Sequence, residues 1–222
     1  MADLAALYRF RFKESDLPQK NAIWKTLCDN FFGAIVGKTD VVLDLGCGYG
    51  EFINNIHAGR KLGVDLNSDV RRFLSPDVVF IEGRADAIAV DPASVDVVFS
   101  SNFIEHLKSK DELDLVFREI LRVLKPGGRL ILLGPNVKYL ANAYWDFYDH
   151  YLPLSHLSLE EGLSIAGFQV RDVIPRFLPY TTRSALPKAP FLIAAYVRMP
   201  FVWPLFGKQF LIQAVKPARV DG

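Results

Sequence analysis

The 222-residue sequence has only two cysteines, Cys28 and Cys47. That is too few for a Cys-rich metal site and fits a reducing compartment, so a cytoplasmic protein is expected. A long basic block is also missing. Twenty-six basic residues stand against 25 acidic ones, for a net charge of +1, which argues against a dedicated nucleic-acid binder. Met1-Ala2-Asp3-Leu4 has no basic segment leading into an apolar core, so no secretory signal is expected. Nor is there an uninterrupted membrane-length run. The longest apolar stretch, Ala189 to Phe206, carries Arg198 and is broken by Pro190, Pro200 and Pro204, whereas a spanning helix needs about 20 mostly apolar residues. What is abundant is oil: 50% apolar residues, a mean hydropathy of +0.16 and 17 phenylalanines. That excludes a disordered or fibrous chain and is enough for one ample core.

Residues 1–17 mix aromatic and charged side chains and read as an arm. From Pro18 to Val36, Ile23, Trp24, Leu27, Phe31 and Ile35 recur at helical spacing, and Gly37 is a plausible stop. The arm and this covering helix (1–37) precede a domain expected to fill 38–222. Apolar runs at 41–45, 61–66, 78–82, 95–100 and 129–134 predict strands. Helical patterns at 50–57, 68–74 and 111–124 lie between most of them. A further helix is expected at 155–166, with Ser158 as a cap three residues before Glu161, and strands follow at 168–174 and 209–216. Continuous apolar strands separated by helices mean a mostly parallel sheet, here of seven strands, with helices on both faces: a Rossmann-like α/β fold. Residues 175–208 break this rhythm as a Pro-rich apolar insertion, either a lid or a segment lying on a surface.

The strongest local pattern is Val41-Val-Leu-Asp44-Leu-Gly46-Cys47-Gly48-Tyr49-Gly50. A strand runs into a G-x-G-x-G turn, where glycines let the backbone bend tightly and approach a ligand. In an open α/β sheet this turn lies where ligands bind. The next strand ends in Asp65-Leu66, 19 residues after Gly46, where an acid can accept from both hydroxyls of a ribose. An NAD site would need G-x-G-x-x-G, and no Walker Gly-Lys-Ser/Thr sequence occurs.

Over residues 38–174 and the last strand the chain resembles the class I S-adenosylmethionine-dependent methyltransferases. The residues that carry the resemblance are Asp44–Gly50, Asp65, Gly83-Arg84-Ala85-Asp86, the run Val97 to Leu107 and Leu124-Lys-Pro-Gly-Gly-Arg-Leu130. The resemblance implies that the glycine loop (Gly46, Cys47, Gly48, Tyr49, Gly50) packs against the methionine part of the donor. Asp44 would orient its amino group, Asp65 and Leu66 would hold the ribose, and Asp86 and Ala87 would contact the adenine. Ser101 and Asn102 would complete the site. S-adenosylmethionine is then the methyl donor, and no metal is implied. Asp146 and Asp149 beside His150 are the residues weighed for a divalent ion.

A hydroxyl acceptor usually calls for a general base, and histidine suits neutral pH. His106, His150 and His156 lie in stretches expected to open toward the methyl group; His106 could equally pack its turn. Tyr144, Trp145, Phe147, Tyr148 and Tyr151 could wall an acceptor ring or sugar, with Asn136, Asn142 or Asp146 as polar contacts and Tyr139 and Arg176 nearby. The aromatic arm, Asp149-His-Tyr-Leu-Pro-Leu-Ser-His156 and the apolar tail also resemble small bacterial methyltransferases of cell-surface polysaccharide or glycoconjugate pathways. That implies O-methylation of a sugar, free or on a nucleotide or lipid carrier, or of another small hydroxylated acceptor. N- or carboxyl-methylation, and a protein that binds the donor without turnover, are the rival readings. The apolar segment 189–206 would cover a carrier, touch a membrane peripherally or join two subunits as a homodimer.

Overall fold

The computed structural model describes residues 14–180 and 189–218. Most of the expected arm lies outside them. Seven strands form one sheet: β1 (Val41–Leu45), β2 (Arg60–Asp65), β3 (Val78–Glu82), β4 (Val95–Ser101), β5 (Leu124–Pro135), β6 (Gln169–Ile174) and β7 (Gln209–Val215). Their order is β3-β2-β1-β4-β5-β7-β6. All neighbours are parallel until β7, which runs antiparallel to both β5 and β6.

The parallel strands are apolar on both sides because helices cover both faces. Side chains alternate along each strand. Val98, Leu130 and Leu132 join Leu43 and Leu62 on one face, while Val97, Phe99, Ile131 and Leu133 enter the core on the other. The first face is covered by α2 (Lys110–Val123), through Leu113, Val116, Phe117 and Ile120, and by α4 (His156–Ala166), through Leu159 and Leu163. The second is covered by α1 (Leu17–Asn30) and by the segment before β7. This second core is strongly aromatic. Phe52 stacks on Phe99 at 3.7 Å, Phe32 packs edge-on to both, and Phe177 sits 5.0 Å from Trp203. Five of the 17 phenylalanines, Phe31, Phe32, Phe52, Phe99 and Phe177, belong to this core.

Several expectations need correction. No regular helix forms at 50–57, where the chain runs through successive turns, and 68–74 becomes a 3-10 helix, Ser68–Phe73. Helix α1 ends at Asn30 rather than continuing to Val36; a separate 3-10 turn, Phe32–Ala34, follows it. The cap of α4 is Ser155, not Ser158. Ser155 Oγ accepts from the Ser158 N–H, and the Ser158 hydroxyl accepts from the Ser155 N–H, so Ser158 completes the capping box where Glu161 was expected to. Strand β5 begins at Leu124, and its register against β4 shifts between Val95 and Val97 to accommodate the Pro126-Gly127-Gly128 turn. The short α3 (Val137–Leu140) follows β5.

The apolar insertion grows out of the β6–β7 ladder. Phe177 N–H donates to Gln209 O, and the N–H groups of Lys208 and Gln209 both donate to Leu178 O, closing its base. It carries α5 (Pro190–Val197), a 3-10 turn Pro200–Val202 and α6 (Trp203–Phe206). Each of these begins with proline in its first turn, where a missing N–H costs least. No described helix is long and apolar enough to cross a membrane.

Candidate active site

A cavity opens beyond the carboxyl ends of β1 and β4, the strands flanking the point where connections leave the sheet in opposite directions. One part of its wall is built by the turn after β1. Gly46, Gly48 and Gly50 all have positive φ (72°, 50° and 77°), a region that L side chains avoid. A Cβ on Gly46 would also lie 2.7 Å from the Phe103 ring. The turn is held from β2: Gly46 and Cys47 donate to Val64 O, and the Gly48 N–H donates to Asp65 Oδ2 at 2.9 Å. Asp65 Oδ1 accepts from Asn67 N–H at 2.8 Å. Each carboxylate oxygen has a second lone pair, so Asp65 can brace the loop and still accept from a hydroxyl.

Of the expected donor-binding residues, Asp44, Gly46, Cys47, Gly48, Tyr49, Ser101 and Asn102 line the cavity, while Gly50, Asp65, Leu66, Asp86 and Ala87 are not in its wall. Asp65 is buried behind the loop and Leu66 is exposed. Asp86 is held by Arg84 through two hydrogen bonds of 2.8 and 2.7 Å, and the Ala87 N–H turns back to Arg84 O. On the other side Asn102 adopts φ 50°, tolerable for asparagine, with its N–H tied to Leu133 O and its amide to Ser101 Oγ.

Electrostatically the cavity suits a cation. Asp44, Glu51 and Glu105 all line it. Burial, then the charges of Glu51 and Asp65, push the Asp44 carboxyl well above the usual carboxylate range. Burial likewise raises Glu51, against the opposing charge of Lys20 at 4.0 Å. A ligand carrying a sulfonium and an ammonium group relieves this excess of buried negative charge. Burial, with Asp44 and Asp65 nearby, raises the Cys47 thiol, so it stays protonated and inert at neutral pH.

The far wall is formed by His106, His150, Phe147, Tyr180 and Gln209. His106 ends a one-turn 3-10 helix, Ile104–His106, after β4. The loop after β5 is tied to that turn because Glu105 O accepts from the N–H groups of Tyr151 and Leu152. This brings Asp149 against His106, whose Nδ1 lies 2.9 Å from Asp149 O and 3.1 Å from its carboxylate. Both partners are acceptors, so Nδ1 carries the proton and Nε2 is left as the basic nitrogen. Burial works to lower the His106 pKa, but the Asp149 hydrogen bond and the charges of Glu105 and Asp149 outweigh it, and the net direction is up. His150 is buried, stacked on Phe147 at 4.8 Å and edge-on to His106 at 5.1 Å. Glu105, His106 and His150 each bring a ligand atom within 4.8 Å of the others, a different grouping from the Asp146, Asp149 and His150 weighed from sequence.

His156 does not join them. It opens α4, receives a hydrogen bond from Asn136 Nδ2 on Nδ1 at 2.8 Å, and stacks against Tyr139, whose other neighbour is the Arg176 guanidinium at 5.0 Å. Asn136, Tyr139 and Arg176 thus pack with His156 outside the cavity wall. Of the aromatic residues expected as walls, only Phe147 reaches the cavity. Tyr144 is fully buried with its hydroxyl on Leu152 O at 2.6 Å, and Trp145, Tyr148 and Tyr151 are exposed. Asp146 is also outside the wall.

Sequence reasoning missed the contributions of Lys20, Ile23 and Trp24 from α1, of Glu51, and of Tyr180 and Gln209 at the base of the insertion. Ile23 and Trp24 stood on the predicted apolar face of α1, so that face was the available signal. The Gln209 Oε1 atom is buried without a hydrogen-bond partner, while its Nε2 donates to Pro179 O.

Strand order, the reversed β7 and the cavity beyond β1 and β4 define the Rossmann-like fold of the class I S-adenosylmethionine-dependent methyltransferases. Residues 43–132 match the family model described as a methyltransferase domain. A probable methyltransferase, ltbC, from Aspergillus luteorubrus is 30% identical over 171 residues, covering 68% of this chain and 58% of that protein. The demethylmenaquinone methyltransferase of Lactococcus lactis subsp. lactis is 25% identical over 158 residues, covering 64% of this chain and 58% of the relative. The chain thus spans less than two thirds of either relative. Among solved structures, a chain of the complex between the Haloferax volcanii Trm112 methyltransferase activator and a methyltransferase superposes with a TM-score of 0.69 at 20% identity, covering 95% of this chain and 97% of the other. At that identity the likeness concerns the fold.

Proposed function

We propose that this protein is an S-adenosylmethionine-dependent methyltransferase that O-methylates a sugar or another small hydroxylated acceptor. The observation that carries the acceptor reading is His106 in the wall of the cavity that the glycine loop also lines, with its Nδ1 paired to Asp149. A bound sulfonium donor supplies an activated methyl group. The chain's tasks are to hold it, to exclude water and to take a proton from the acceptor. In this reading the glycine loop, Asp44 and Asp65 hold the donor, with Leu66, Asp86 and Ala87 toward its adenosine. His106 Nε2 removes the hydroxyl proton, and Asp149 fixes the tautomer and stabilises the imidazolium that results. His150 and Phe147 form a flat wall against the acceptor; His156 supports the fold. The resemblance to glycoconjugate-pathway enzymes favours a sugar on a nucleotide or lipid carrier. N- or carboxyl-methylation would leave the His–Asp pair without a task.

The test is to incubate the protein with labelled methyl donor and fractions of small molecules and carrier-linked sugars, then identify the labelled product by mass. His106→Ala is expected to lower kcat by about 100-fold or more while donor affinity, read by calorimetry, is kept. Asp149→Asn removes the carboxylate that, with the Glu105 charge, raises the His106 pKa, so the acid limb of kcat/KM moves to lower pH while the plateau falls. Activity is expected to survive chelator treatment. A label on nitrogen or carboxylate, or an unmoved acid limb in Asp149→Asn, overturns the acceptor reading without touching the donor.

A further inference from the structure

The least conventional surface of the molecule is the insertion before β7. Phe191, Phe201 and Leu205 are 71%, 75% and 69% exposed, and Leu192, Met199 and Phe206 lie open beside them. These are not the side chains of a loosely held loop. Beneath them Trp203 and Val197 are buried in the aromatic core, Trp203 packs edge-on to Phe31 and Phe177, and its indole N–H donates to Tyr196 O at 2.9 Å. The Tyr196 hydroxyl donates to Phe177 O at 2.7 Å. One aromatic layer clamps the segment to the domain while a second is presented outward. Helix α5 has no polar side chain between Pro190 and Ala195, so it offers an apolar knob rather than an amphipathic stripe.

Charge identifies the occupant. Between Asp172 and Asp221 the sequence contains no acid, but it contains Arg176, Arg183, Lys188, Arg198, Lys208, Lys216 and Arg219. Of these, Arg198 and Lys208 are exposed within and beside the knob, and Arg176 donates to the carbonyls of Leu205 and Gly207 at its far end. A second copy docked on this face through two-fold symmetry would set like charges against each other with no acid from the segment to answer them. An anionic lipid surface supplies the missing charge and accepts the aromatic side chains at the same time.

We propose that residues 190–206 dock the protein peripherally onto an anionic membrane surface. Tyr180 and Gln209, at the two ends of the insertion, line the cavity, so docking brings the cavity wall close to the lipid. A carrier-linked acceptor entering from the bilayer would then need little travel; that corollary rests on the function proposed above, whereas docking itself does not.

The experiment is flotation of the full chain with phosphatidylcholine vesicles with and without phosphatidylglycerol, with no methyl donor or acceptor present. Flotation with the anionic vesicles only, weakened by added salt, is expected. Phe191→Ser/Phe201→Ser alters exposed side chains and leaves the clamp intact; it is expected to cut partitioning about tenfold or more, with unchanged circular dichroism. Arg198→Glu should weaken binding to anionic vesicles. Wild type that stays unbound with both vesicles, or a double variant that floats as well as wild type, overturns the proposal. So does a wild-type dimer in sedimentation equilibrium that the double variant lacks, if vesicles do not bind, because the face then belongs to a second copy.

Discussion

Asp44 illustrates how a carboxylate in the candidate site is placed at the expense of stability. It is buried at the end of β1, near Glu51 and Asp65, and its pKa is raised above that of an exposed aspartate. A carboxyl whose folded pKa exceeds its unfolded value binds its proton more tightly in the native state. Its penalty is therefore absent below the unfolded pKa and grows as pH rises from there toward the folded value. Asp44→Asn should accordingly raise the melting temperature of the ligand-free protein at neutral pH, with the gain vanishing near pH 3. The same substitution should abolish detectable donor binding in calorimetry, since the carboxylate is the proposed partner of the donor's ammonium. Asp44, Asp65 and the glycines were legible as a group because a tight turn beside a ligand demands those residue types at fixed spacing. His106 could be named as a candidate but not separated from His150, because Asp149 reaches it only through the folded loop.

Helix α2 shows where local pattern and packing agree. Ser109 accepts from the Glu112 N–H at 3.2 Å, Asp111 and Glu112 occupy the first turn, and Leu113, Val116, Phe117 and Ile120 all face the sheet. Its last turn does a second job. Arg122 donates to the carbonyls of Ile88 and Val90 and to Glu119, and Glu119 Oε1 accepts from the Ile88 N–H, so this helix also holds the loop that follows Asp86. Ser109→Ala should cost about 1 kcal/mol, and Phe117→Ala, which empties a fully buried site, about 3–5 kcal/mol, both measurable by urea unfolding. The 50–57 stretch marks the opposite case. Its apolar residues Phe52, Ile53 and Ile56 are all buried, but in successive turns rather than a regular helix, because burial and not backbone periodicity is what the pattern reports.

The sheet as assembled makes a ligand-linkage prediction. The proposed donor contacts come from separate strands, so binding should stabilise the domain as a unit. S-adenosylhomocysteine at about 100 times its Kd should add about 2.7 kcal/mol, which for a chain of this size is a rise of roughly 5–10 °C in a thermal melt. NAD should give no shift; the reverse ranking would discard the proposed ligand. The strand-and-helix rhythm and the glycine turn could be read directly from the chain because each rests on contacts close in sequence: alternation along a strand, spacing along a helix, glycines in one turn; the mostly parallel sheet followed from that rhythm. The excess of phenylalanine could be counted but not located. Folding distributes it among the two cores on either side of the sheet and an outward layer on the insertion, a distribution that depends on which residues meet across more than 100 positions of chain, as Phe31 and Trp203 do. The antiparallel β7, the contribution of α1 to the cavity, and the union of His106 with Asp149 likewise needed the tertiary structure, since each is a contact between distant segments that no local pattern encodes.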